Sequence, residues 1–247
     1  MISMLLLVLH VLAGPRPAAA PVRYKIVTRT NTDIDLSAAG QGSQSIALVS
    51  TTFVTVTVGD TAGGQLVNII VDSSAFDGGA IAAQLPPEML ADPKGATFHL
   101  FVVNGRSRSS ILPTPMSVQA VQAAGGIELL LTSLRRLKAG DTWTDTTMSD
   151  TSSAAGSAKG SRVATWTATP DQGSTLQLDA TWTGTTSAGF GQAQIDMKVA
   201  GTSHVTAVPG GLALKASSTG TGSATMNMAG MNLPMKVTTD VTTTQLP

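Results

Sequence analysis

Apolar and polar residues alternate with a period of two over most of the chain, the pattern of strands that bury one face. Over residues 24–36, Tyr24, Ile26, Thr28, Thr30, Thr32, Ile34 and Leu36 share one face, and Lys25, Arg29, Asn31, Asp33 and Asp35 share the other. The same reading predicts strands over 43–58, with Ile46, Leu48, Val54, Val56 and Val58 on one face, and over 65–72 and 97–103. After Gly140 it predicts strands over 141–148, 161–169, 174–186, 191–207, 211–228 and 232–246. Short separators such as Pro170-Asp171-Gln172-Gly173 and Pro209-Gly210-Gly211 join them, so consecutive strands should pair antiparallel.

The middle of the chain breaks this rhythm. Leu85-Pro86-Pro87-Glu88-Met89-Leu90 allows a short helix at most, because proline fits only a first helical turn. Thr114-Pro115 reads as a cap and first-turn proline opening a helix to about Ala124, which Gly125-Gly126 ends or kinks. Ile127, Leu130, Leu131 and Leu134 then recur at i, i+3, i+4 and i+7, a helical stripe, with Arg135, Arg136 and Lys138 placed to complement its C-terminus and Gly140 to cap it. The expected fold is mainly β: long antiparallel strands in a curved sheet, half-barrel or two-sheet sandwich, with two or three short helices inserted mid-chain. The expected divisions are a leader at about 1–20, a β half over 21–110, a helical connection over 111–140 and a β-meander half over 141–247.

Composition narrows the chemistry. Threonine occurs 34 times in 247 residues, well above its share in a typical soluble protein. Lys plus Arg and Asp plus Glu are 15 each, so the net charge is zero and the basic surface of a nucleic-acid binder is not predicted. There is no cysteine, which excludes disulfides and thiolate sites. The run from Met4 to Ala13 is apolar but about half the roughly 20 residues a bilayer span needs. Followed by Ala18-Ala19-Ala20, it reads as a signal peptide, and the expected location is the periplasm or the extracellular space. Long alternating strands also suit an outer-membrane barrel, but aromatics make up only 4% of the chain. Lys25, Arg29, Asp179, Asp196, Lys198 and Lys236 would face lipid.

Gly140-Asp141-Thr142-Trp143 opens the second run of strands. In this segment and layout the chain resembles a loose group of uncharacterised bacterial exported β-rich proteins with a Gly-Asp-Ser/Thr-Trp segment. More distantly, it is similar in architecture to periplasmic lipoprotein carriers, whose open half-barrel holds acyl chains under a helical lid. The resemblance implies a compartment and a β fold.

No residue is assigned a catalytic role. His99 and His204 lie in strands without a second histidine or glutamate at ligand spacing, and no Gly-x-Ser-x-Gly, Ser-x-x-Lys or His-Glu-x-x-His occurs. Asp33 with Asp35, and Asp196 with Lys198, share polar strand faces where water solvates them. Met226, Met228 and Met231, with Met235, cluster around a turn. Thioethers suit Cu(I), but flexible apolar packing is the simpler reading, and no metal or cofactor is assigned. Trp143, Trp166 and Trp182 read as sheet core. The expected role is a non-catalytic exported protein that binds an apolar small molecule or lipid, with Ile127, Leu130, Leu131 and Leu134 as the inner face of a lid. The alternatives are a structural or protein-interaction module, a Cu(I)-handling protein, or a hydrolase.

Overall fold

The computed structural model describes residues 20–61, 63–79, 87, 90–111, 118–153, 156–190, 193–228 and 230–247. The leader, Thr114-Pro115 and most of 85–90 fall outside them.

Alternation becomes strand wherever it was expected. β1 (Val22–Asp35), β2 (Ser43–Thr61), β3 (Gly64–Asp77) and β4 (Thr97–Val103) precede the helix. After it come β6 (Thr142–Ser153), β7 (Gly156–Pro170), β8 (Leu176–Phe190), β9 (Ala193–Ala207), β10 (Ala213–Met228) and β11 (Met231–Gln245). β5 (Arg106–Ile111) is an addition: Arg106-Ser107-Arg108-Ser109-Ser110 has no apolar alternation, and it pairs with β4 through the Asn104-Gly105 turn, where both residues have positive φ. A charged, short strand of this kind suits a sheet edge.

All strands form one antiparallel sheet in the order β5-β4-β3-β2-β1-β11-β10-β9-β8-β7-β6. Two meanders meet where β1 pairs with β11, Thr28 opposite Val241. The sheet curls into a half-barrel. Its strand number is odd, so the two edges, β5 and β6, run in the same direction; among the described residues they share no backbone ladder. Side chains bridge them instead: Arg106 donates from Nη2 to the Thr144 carbonyl at 2.8 Å and ion-pairs with Asp145. Lys25, Arg29, Asp196, Lys198 and Lys236 are exposed on the outer face, as alternation required.

Among the described residues one α-helix, α1 (Val118–Thr132), lies within the curl, and a 3-10 turn at Ser37–Ala39 connects β1 to β2. Among the described residues this is fewer helices than expected, because α1 runs unbroken through Gly125-Gly126. Glycine costs a helix interior about 1 kcal/mol relative to alanine. Gly126 repays that by close approach: a Cβ there would lie 2.5 Å from Ile26 Cγ2 and 2.9 Å from Thr243 Oγ1. Thr28 Oγ1 also donates to the Gln122 carbonyl at 3.1 Å, fixing the helix to β1.

Two further expectations are corrected at the helix end. Arg135 does not complement the last turn; it is buried and turns toward Asp145. Gly140, at φ 91°, serves a turn rather than a cap, its N–H donating to the Ala168 carbonyl at 2.8 Å.

Candidate functional site

Strand register divides the concave face into two ends. Tyr24 sits opposite Val54 and Gln245 at one end of β1, and Ile34 opposite Gln44 and Met235 at the other. The main core occupies the Tyr24 end. There side chains of α1 join one buried cluster with Ile26, Val54, Val67, Phe98, Trp166, Leu178 and Val205. Ile127, Leu130, Leu131 and Leu134 all lie in this core, joined by Leu129, which is 2% exposed and falls outside the helical stripe. The helix therefore packs into this end of the half-barrel.

A clasp closes the same end. Asp145 accepts from Trp143 Nε1 at 2.7 Å and from Arg135 Nη1 at 3.2 Å, and it pairs with Arg106 from the opposite edge. Trp143 stacks on Trp166 with ring centres 5.9 Å apart, and the Arg135 guanidinium lies 4.9 Å over the Trp143 ring. Burial pushes the pKa of Arg135 down, and the Asp145 charge opposes that shift. Tyr24, whose hydroxyl pKa burial pushes up, donates to the Ala213 carbonyl at 2.8 Å.

The Ile34 end is different. Ile34, Ala224, Leu233 and Met235 are buried there, with Leu36, Ile46, Ile195, Met197, Met226, Met231 and Val237 packed against them. Among the described side chains, none of α1 belongs to this second cluster. Its methionines are soft and adaptable, a composition suited to apolar surfaces of variable shape. Met226 and Met231 pack here as apolar side chains; Met228 stands opposite Met231 in register, and its side chain lies outside the described ones.

Between the two ends lies a polar ledge. Trp182 on β8 spreads its ring across β9 and β10: a Cβ at Gly201 would lie 2.6 Å from Trp182 Cζ2, and one at Gly220 2.5 Å from Cη2. Glycine in these strands is thus a matter of close approach. The Arg162 guanidinium stacks 4.7 Å over the Trp182 ring. Its Nη1 lies 3.3 Å from Glu128 Oε1 of α1, which also accepts from Thr147 Oγ1 at 3.1 Å. Its Nη2 donates to Ser203 Oγ at 3.3 Å, and Ser203 donates to Ser218 Oγ at 2.9 Å. Two N–H groups of the ledge, Arg162 Nε and Trp182 Nε1, are buried without an acceptor among the described residues. Leaving such a donor unpaired costs about 1–3 kcal/mol.

Sequence reasoning did not single out this ledge. A signal was present: Arg162 falls in the register of Ala164, Trp166 and Ala168, a charge in a run of inward positions. His99 and His204 lie elsewhere, on the outer face: His99 Nδ1 is 2.7 Å from Asn68 Oδ1, and His204 Nδ1 is 2.6 Å from Asp179 Oδ1. Asp33, Asp35 and Asp196 are exposed on that face too.

The chain matches no family model and no curated protein sequence. Among solved structures, the crystal structure of the outer membrane protein opdK from Pseudomonas aeruginosa is 8% identical, with 92% of this chain and 98% of that one covered, at a TM-score of 0.21. At this level of likeness nothing about function follows.

Proposed function

We propose that the chain is a non-catalytic, exported binding protein whose concave face holds an apolar, lipid-like ligand at the Met-rich end. One observation carries this reading: the concave face bears two apolar clusters, and the described side chains of α1 join only the one at the Tyr24 end. Apolar side chains on a concave surface gain about 25 cal/mol for each Å² of apolar area a ligand removes from water. Ile127, Leu130, Leu131 and Leu134 belong to the cluster at the clasp end and would form the wall against which a ligand stops. Export rests on the leader-like run at 4–13.

The test is titration with a fluorescent acyl-chain probe. The wild-type chain is expected to bind it. Met226→Leu conserves volume and should bind as the wild type does. Met226→Glu places a carboxylate beside Ile195 and Leu233, its register partners, and should weaken binding at least about tenfold. Melting curves of both variants separate lost binding from lost folding. A wild-type chain that ignores the probe, or a folded Met226→Glu that binds it equally well, would overturn the reading.

A further inference from the structure

We infer that Asn104-Gly105 is a site of spontaneous deamidation that the clasp holds in check, and that its isoaspartate product releases β5 from the seam with β6.

The chemistry belongs to the residue pair. Asn104 is the one asparagine in the chain that glycine follows. Gly105 carries no Cβ, so its backbone nitrogen is the least hindered that any residue could offer to the Asn104 Cγ. Attack forms an N–Cγ bond and closes a cyclic imide. The Cγ–Nδ2 bond breaks, and Nδ2 leaves as ammonia with the proton that the Gly105 nitrogen gives up. Solvent water then opens the ring. Opening at Cγ leaves aspartate on an unchanged main chain. Opening at the Asn104 carbonyl carbon leaves isoaspartate, whose main chain runs through Cβ and Cγ and is one carbon longer. Neither step is a redox reaction, and water is the co-reactant.

The fold both exposes the pair and restrains it. Asn104 is exposed at the tip of the β4–β5 hairpin. Among the described residues it is the one non-glycine with positive φ, at 50°, and Gly105 follows at 70°. The imide forms only when the backbone at Asn104 rotates until the Gly105 nitrogen faces Cγ. Two features resist that rotation. Val103 stands opposite Arg106, so the turn has two residues and little slack. Gly105 also lies on Arg135, so close that a Cβ there would run into the arginine side chain. Asp145 holds both Arg106 and Arg135. The rate at Asn104 therefore follows how often the clasp opens.

The product acts on the same parts. In a hairpin the length of the turn sets the register of the strands. An added main-chain carbon at Asn104 breaks the match between Val103 and Arg106, the pair that closes the turn. Arg106 is also the residue that crosses to β6, where it meets the Thr144 carbonyl and Asp145. β5 is a six-residue edge strand whose ladder is with β4, so a shifted turn strikes both of its attachments at once.

The experiment ages the chain in solution at one mildly alkaline pH. Peptide mass spectrometry then locates converted asparagine and separates isoaspartate from aspartate by its fragments, while amide exchange follows β5. Folded wild type is expected to convert at Asn104, with β5 exchanging faster as isoaspartate accumulates. Arg106→Gln removes the bridge at a side chain that is 42% exposed, and it should convert severalfold faster. Asp145→Asn loosens the clasp from its other partner and should also convert faster. The chain unfolded in guanidinium should convert fastest. Asn104→Gly keeps a residue suited to positive φ and should age with β5 protection unchanged. Melting curves identify which variants are folded. An Asn104 that stays intact in every folded chain while the unfolded chain converts would overturn the site. Equal rates in wild type and the folded clasp variants would overturn control by the clasp. A chain rich in isoaspartate at this position whose β5 keeps its protection would overturn release of the strand.

Discussion

Leu130→Ala is expected to lower stability by about 2–5 kcal/mol, read from chemical denaturation at equilibrium. Leu130 is 0% exposed at the centre of the α1 interface. Truncating it forfeits the transfer free energy of its side chain and leaves a cavity that surrounding strands cannot close, because their backbones are fixed in the ladder. In a chain of this size each kcal/mol moves the melting temperature by about 2–4 °C, so the shift should exceed about 4 °C. A change below about 1 kcal/mol would mean that α1 rests on the sheet without being part of its core.

Asp145→Ala should cost about 3 kcal/mol, within the range for removing one partner of a buried ion pair. The side chain of Arg135 is only 10% exposed, and it would be left with an uncompensated charge; Trp143 Nε1 would lose its acceptor. Arg106, at 42% exposure, regains water and adds little. The effect should also be local in a way that Leu130→Ala is not. Arg106 and Asp145 connect the two sheet edges, so amide exchange should quicken in β5 while β1 and β11, paired on both sides, keep their protection. Asp145→Asn, which keeps an acceptor for Trp143, should cost less. Equal exchange rates in β5 before and after Asp145→Ala would show that the clasp does not hold the seam.

The sheet was legible because its information is local. Alternation along 24–36 or 193–207 assigns each side chain a face without reference to any other strand, and Asn104-Gly105 or Pro209-Gly210-Gly211 marks where the chain turns. What escaped was decided by distant partners. Gly125-Gly126 reads as a break by propensity, but packing on Ile26 and Thr243 makes the small residue necessary. Arg135 reads as a helix-terminal charge, while its partner Asp145 is brought into place by the Arg106 edge arriving from the other side of the sheet. β5 has no apolar face to announce it and exists because β4 offers a ladder. The ledge draws Glu128, Arg162, Trp182 and Ser203 from four elements, a convergence that no spacing in the sequence encodes. The Met-rich turn was visible as Met226, Met231 and Met235, but only the β9–β10–β11 register adds Met197 to their face and separates that cluster from the one under α1.

Whether the Met-rich end of the concave face holds a lipid-like molecule is tested most directly by native mass spectrometry of the chain purified from its own host. The wild type is expected to carry a single apolar adduct that organic solvent releases and that folded Met226→Glu lacks. A wild-type chain that carries nothing, and takes up nothing when mixed with the host's extracted lipids, would contradict it.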